Sequence, residues 1–257
     1  MSKQTALLLG LALACSILLI GASSVSAWKF AAVGDIECSG SDRILSMIKS
    51  NTPDAKRVIL LGDLGYGSTS KCIKVSCDKY QENCVPTVGN HDKASDIKKV
   101  FGKGDGVGWY KQNNVVFLGI NSELSIKDVK PKVLNILNRF GNDSNISFII
   151  PFQHKPFVTN PSAHHGEGDA KGYRAALLPI FNNNEKVALV MFGHNHGYQQ
   201  CTVGDTHFIT SGMGGRDPYP WGSKTDDGCT NQLSGGIGYL EVDVSDNELN
   251  WKLVHTK

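Results

Sequence analysis

Five short segments of this 257-residue chain carry metal-binding residue types, and each follows an apolar run. They are GDIE (34–37), GDLGY (62–66), GNHD (89–92), FQHKP (152–156) and GHNH (193–196). Taken singly, each has an ordinary explanation. A Gly-Asp after a strand is commonly a turn, and GNHD reads equally as a turn with a helix cap at Asp92. A buried His154 is commonly a hydrogen-bonded core residue, and His194 and His196 alternate as surface residues do. Together, in this order and always after a strand, they point to a metal site. Carboxylate, amide and imidazole donors suit Zn, Mn, Fe or Ni. There are too many for one tetrahedral ion. Two ions about 3.5–4 Å apart, sharing a carboxylate, would use the whole set and suit in-line displacement at phosphorus. Glu37, two residues after Asp35, is either a bystander or an additional oxygen ligand.

Such a site needs a scaffold that gathers five strand ends. WKFAAV (28–33), RVILLG (57–62), CVPTVG (84–89), VVFLGIN (115–121), ISFIIP (146–151) and VALVMFG (187–193) read as strands. SDRILSMIKS (41–50) puts Ile44, Leu45, Met47 and Ile48 on one helical face, with Ser41 as its cap. PKVLNILNRF (131–140) reads as a helix with Pro131 in its first turn, and another helix lies around Tyr173 to Phe181. The last third turns to strands only, in THFITSG, GIGYLEVDV and ELNWKLVH. The pattern predicts an α/β chain with a β-rich ending, one domain over 28–257, and ligands at the carboxyl ends of its strands. GKGDGVG (102–108) lacks the spacing and following helix of a phosphate-binding loop and reads as a surface loop.

With 40% hydrophobic and 19% charged residues the chain has the makings of a sizeable core. A net charge of +2 without a dense basic run gives no reason to expect nucleic acid. Lys3, the apolar run ALLLGLALACSILLI (6–20) and small residues ending in VSA (25–27) form a signal-peptide pattern cut after Ala27. The run is short for a membrane span of about 20 residues, so a secreted or extracytoplasmic protein without a stable membrane span is expected, an uncleaved anchor being the alternative. Of seven cysteines, Cys15 lies in that run, leaving Cys38, Cys72, Cys77, Cys84, Cys201 and Cys229 for disulfides. Sequence does not choose among their pairings; Cys201 with Cys229, around one long loop, is favoured. Asn142 and Asn145 each begin a glycosylation sequon.

The series GDIE, GDLGY, GNHD, QHKP and GHNH resembles the calcineurin-like metallophosphoesterase superfamily, and most closely the purple acid phosphatases. Those enzymes lack a histidine after the first Gly-Asp and carry Gly-Asp-x-x-Tyr, which GDLGY matches with Tyr66. The flanks HKPF, GHNHGYQQ and SGMGG (211–215) agree, so the likeness covers nearly all of 28–257. It implies a four-layer αββα sandwich of two mixed sheets flanked by helices. It implies Asp35, Tyr66 and His196 on a first metal, Asn90, His154 and His194 on a second, and Asp63 bridging. The metals would be Fe(III) with Fe(II), Zn(II) or Mn(II), since a phenolate favours the ferric ion. His91 would touch phosphate and help protonate the leaving oxygen. A small phosphate monoester would be hydrolysed by in-line attack of a hydroxide held on the metals.

Some features depart from the pattern. The family commonly has glycine where Glu37 stands, and the longer plant-type members carry an N-terminal β domain for which there is no room. AHHGEG (163–168) supplies His164 and His165, with His165 the second candidate catalytic histidine. Arg216 and Trp221, in GGRDPYPWG (214–222), are candidates for the pocket rim. A divalent-metal phosphodiesterase or nucleotide hydrolase is the alternative on this fold, and a non-catalytic surface-binding protein the third reading.

Overall fold

Period-two alternation decides which layer each strand face joins. In the computed structural model, which describes residues 27–68, 70–160, 170–222 and 228–256, the strands are β1 (Trp28–Val33), β2 (Ala55–Leu60), β3 (Cys84–Pro86), β4 (Gly108–Gln112), β5 (Val115–Ile120) and β6 (Phe148–Gln153). They continue with β7 (Leu189–Phe192), β8 (Tyr198–Val203), β9 (Thr206–Ser211), β10 (Thr230–Leu233), β11 (Ile237–Val244) and β12 (Leu249–Thr256). The helices are α1 (Ser41–Asn51), α2 (Lys71–Lys79), α3 (Ala94–Phe101), α4 (Ile126–Gly141) and α5 (Ala170–Asn182).

Phe30 and Ala32 of β1 join Val115 and Phe117 of β5, Ile150 of β6 and Met191 of β7 in a core between two sheets. Their neighbours Ala31 and Val33 face the other way, onto Ile44, Leu45 and Ile48 of α1. Val116 and Leu118 likewise face Val133 and Leu137 of α4 and Leu177 of α5. Three cores between four layers make an αββα sandwich, as expected. The five-stranded sheet runs β12-β11-β1-β2-β3 and the seven-stranded sheet β10-β8-β9-β7-β6-β5-β4. Both are mixed: β1, β2 and β3 are parallel, as are β5, β6, β7 and β9, with antiparallel strands outside them. The parallel strands deliver the site residues from their carboxyl ends.

Three disulfides are formed: Cys38–Cys72, Cys77–Cys84 and the expected Cys201–Cys229. The last joins β8 to the residue before β10, strands paired Thr230 to Gln200. Asn142 and Asn145 are exposed after α4. No helix among the described residues is long and apolar enough to cross a membrane.

Several elements depart from expectation. α4 begins at Ile126, capped by Ser125, whose hydroxyl accepts the Lys127 N–H at 3.3 Å, so Pro131 falls in the second turn rather than the first. β8 (YQQCTV) carries no apolar alternation; its buried Gln199 accepts from the Thr159 hydroxyl and the Asn160 N–H, both at 2.9 Å. α2 and α3 are short helices whose few buried residues, Ile73 and Ile97 among them, leave a weak pattern. The signal-peptide region (1–26) and the loop holding His164 and His165 (161–169) lie outside the described residues.

Candidate metal centre

The chain turns sharply after β1, β2 and β7. Asp35 (φ 62°), Asp63 (φ 55°), Tyr66 (φ 39°) and His194 (φ 70°) all sit in the left-handed region, which costs a non-glycine residue roughly 1–3 kcal/mol. Backbone hydrogen bonds enforce it. Past the end of the β1–β2 pairing, Asp35 N–H donates to the Gly62 carbonyl (3.0 Å), Ile36 N–H to Asp63 (3.0 Å) and Gly65 N–H to Ile36 (2.9 Å). The two Gly-Asp turns are thereby zipped together, which places Asp35 beside Asp63. Gly89 is dictated by closeness: a Cβ there would lie 2.1 Å from Asp63 Oδ1.

The side chains form two adjoining groups. In the first, Tyr66 Oη donates to Asp35 Oδ1 (3.1 Å) and lies 2.9 Å from His196 Nε2. Asp35 Oδ2 accepts the His194 N–H at 2.8 Å. In the second, His154 Nε2 lies 3.0 Å from Asn90 Oδ1, 3.2 Å from His194 Nδ1 and 3.3 Å from Asp63 Oδ1. Asp63 Oδ1 also accepts the His91 N–H at 2.9 Å. All seven expected donors are together, and His91 flanks them with its ring 4.9 Å from that of Tyr66.

Second contacts orient the imidazoles. His154 Nδ1 donates to the Leu61 carbonyl (2.8 Å) and His196 Nδ1 to the Asp217 carbonyl (2.7 Å). A carbonyl only accepts, so each ring presents Nε2 to the cluster, the arrangement typical of metal-bound histidine.

Electrostatics give the site an appetite for positive charge. Burial pushes the Asp35 carboxyl up to about 7, despite the opposing pull of His154. Burial acts the same way on Asp63, but the charge and hydrogen bond of His154 outweigh it and hold Asp63 below the usual carboxylate range. Burial disfavours the charged form of His154, yet Asp63 and then Asp35 raise it to about 9. Burial and the same two carboxylates push the Tyr66 phenol well up. Protons thus occupy a buried cluster of oxygen and nitrogen donors, with those of Asp35, Asp63 and His154 lying within 4.8 Å of one another. The donor set fits cations, whose charge would reverse each of these preferences.

Glu37 takes no part in the cluster. Its carboxylate pairs with Arg216 and accepts from the Ser39 hydroxyl, and the Arg216 guanidinium lies 4.2 Å over the Tyr66 ring. Arg216 is therefore at the rim, as expected. Trp221 is engaged in packing against Gly197, its Nε1–H donated to the Leu233 carbonyl at 3.0 Å. Sequence reasoning missed two supports. Asp92 caps no helix but accepts the Leu64 and Gly89 N–H groups (2.7 and 2.8 Å), tying the Asn90 turn to the strand end of Asp63. Its signal was the final aspartate of GNHD. Tyr219 stacks on His196 at 4.1 Å, and only its aromatic character within GGRDPYPWG pointed to it.

An αββα sandwich whose parallel strands converge on buried carboxylates and imidazoles, with a half-buried phenol and an exposed amide beside them, defines a metal-site hydrolase scaffold. The family model for calcineurin-like phosphoesterases matches residues 29–198, and the chain belongs to that family of metal-dependent phosphoester hydrolases. Comparison with curated proteins gives no match. Among solved structures, the chain is similar to GAP50, the anchor in the inner membrane complex of Plasmodium (TM-score 0.66, 16% identity, 89% of this chain and 84% of that one). It is also similar to the purple acid phosphatase PPD1 of yellow lupin, Lupinus luteus, seeds (TM-score 0.68, 12% identity, 90% of this chain and 52% of that one). A putative 5′-nucleotidase from Staphylococcus aureus has TM-score 0.50 at 14% identity, over 90% of this chain and 54% of that one. The chain spans about half the length of the last two, and at these identities the likenesses concern the fold.

Proposed function

We propose that this chain is an exported, dinuclear metal-dependent phosphatase acting on small phosphate monoesters, of the purple acid phosphatase type. The carrying observation is the phenol: Tyr66 Oη stands between Asp35 and His196 at 3.1 and 2.9 Å, where a divalent-metal site would be expected to place a histidine. In this reading Asp35, Tyr66 and His196 hold Fe(III), Asn90, His154 and His194 hold Fe(II), Zn(II) or Mn(II), and Asp63 is shared. Two cations there would supply the Lewis acidity that neutralises a phosphate dianion and activates water.

The chain's own residues do the rest. His154 and His196, fixed through their Nδ1 hydrogen bonds, keep their Nε2 atoms on the cluster. His91, exposed at the mouth and anchored by its N–H on Asp63, protonates the departing alcohol oxygen. Arg216, held by Glu37, covers the outer face of Tyr66 and keeps bulk water from it. His164 and His165 are assigned to substrate on sequence grounds. Three disulfides favour an oxidising compartment and, with the apolar N-terminal run, support export.

A fold does not by itself imply catalysis, and one similar structure is that of an anchor in the inner membrane complex of Plasmodium. The gathered donors and flanking His91 favour turnover. The test is steady-state hydrolysis of 4-nitrophenyl phosphate and bis(4-nitrophenyl) phosphate by the metal-loaded protein. We expect the monoester to be preferred, activity to vanish on chelation, and His91→Ala to lower kcat by about 10²–10⁴ at unchanged metal content. Preference for the diester would support the phosphodiesterase reading instead, and inactivity toward both would remove the enzyme reading.

A further inference from the structure

Beside the metal cluster lies a second hollow, between the turn that carries Tyr66 and the start of α3. It has a volume of about 130 Å³ and is lined by Ser68, Ser70, His91, Asp92, Lys93 and Asp96, with Ile97 in its wall. We propose that this cavity is the leaving-group subsite and that it takes a small polyhydroxylated alcohol, so that the substrate is a polyol monophosphate. The inference rests on the phosphatase reading above and adds the substrate class.

His91 belongs to both places. Its N–H is anchored on Asp63 at 2.9 Å, and its side chain lines the cavity. An alcohol oxygen protonated by His91 therefore departs at the cavity's edge, and the rest of the alcohol extends into it. In the reaction the phosphorus–oxygen bond to the alcohol breaks, the oxygen of water forms the new bond to phosphorus, and the proton on the departing oxygen comes from His91. Water, the co-substrate, balances the equation.

Size and polarity define the occupant. A water molecule fills about 30 Å³ of liquid, so a hollow of about 130 Å³ suits an alcohol of three or four carbons. Ser70 is 3% exposed, and its hydroxyl has no hydrogen-bond partner among the described residues. A buried hydroxyl left so is disfavoured unless a ligand or water meets it. The same cavity wall carries an ammonium that donates (Lys93), two carboxylates that accept (Asp92 and Asp96) and a hydroxyl that does both (Ser68). Two carboxylates beside one ammonium leave no excess of positive charge for an anionic leaving group to answer. Neutral hydroxyls, which donate and accept, match each of these groups.

The test compares glycerol 1-phosphate with n-propyl phosphate, probes with the same carbon count that differ in two hydroxyls. In the metal-loaded wild-type protein, kcat/KM should favour the glycerol ester by about tenfold or more. Ser70→Ala, and independently Asp96→Asn in the first turn of α3, should each lower that ratio several-fold. Should one variant not fold, the other and the wild-type ratio still decide. Equal kcat/KM for the two esters, or a ratio unmoved in folded variants, would overturn the subsite while leaving the phosphatase reading intact. Absence of hydrolysis of any monoester would overturn both.

Discussion

Gly89→Ala perturbs the centre by one methyl group. The added Cβ would lie 2.1 Å from Asp63 Oδ1, 2.3 Å from Asp63 N and 2.9 Å from its Cγ. Ordinary contact needs about 3.5 Å, so something must move by about 1 Å or more. The Asp63 backbone cannot yield cheaply, because its carbonyl holds the Ile36 N–H at 3.0 Å. What moves is the Asp63 carboxylate or the turn bearing Asn90 and His91, and either displaces a proposed ligand. Overpacking of this kind costs about 1–3 kcal/mol. At about 2–4 °C per kcal/mol for a domain of this size, Tm falls by roughly 2–12 °C and the fold survives. A 1 Å error at a catalytic centre costs about 10²-fold in rate. The assay pairs a thermal melt with metal content and kcat on 4-nitrophenyl phosphate. Gly141→Ala, whose Cβ would meet nothing within 4 Å, is the control and should match wild type. A folded Gly89→Ala protein with wild-type metal content and kcat would refute the packing argument.

Tyr66→Phe keeps the ring against His91 but removes the hydroxyl 3.1 Å from Asp35; the iron-loaded variant should lose the visible tyrosinate-to-iron band, and a retained band would exclude Tyr66 as the ligand. Metal uptake should release protons, because Asp35 (about 7) and His154 (about 9) are both protonated in the metal-free site at pH 6. With the Tyr66 phenol, also protonated, giving up its proton to bind as phenolate, about three protons should leave at pH 6 and about two at pH 8, so affinity rises with pH; calorimetry in buffers of different ionisation enthalpy reads this, and uptake without proton release would contradict it. Loop-closure entropy ranks the disulfides: losing Cys77–Cys84, at separation 7, should cost roughly 2.5 kcal/mol, and losing Cys201–Cys229, at separation 28, roughly 3.5 kcal/mol. Denaturant unfolding of the paired serine variants gives the order, and the reverse order would count against the entropic account.

The strands that carry the site were legible because burial on both faces writes them as unbroken apolar runs, such as VVFLGI in β5 and LVMF in β7. The donors were legible because each stands directly after such a run. Two kinds of information were not. Buried polar strands such as β8 are held by side-chain hydrogen bonds of the Gln199 kind, to which hydrophobic periodicity is blind. Contacts between distant segments were also invisible, for they depend on register and sheet order. β11 docks beside β1 from the far end of the chain, and Arg216 reaches Glu37 across 179 positions. That pair explains the departure at Glu37: the carboxylate is turned to the guanidinium and away from the centre. Asp92 shows the same limit locally, its two N–H partners lying three and 28 positions away.

Elemental analysis of the purified, folded chain, set beside the same analysis of Asp63→Asn, tests the central claim most directly. Asp63 is the one side chain assigned to both ions, so the account predicts two ions per chain in the wild type, iron among them, and loss of at least one in the variant. A wild-type protein that binds no metal, or an Asp63→Asn protein that keeps both ions, would contradict it.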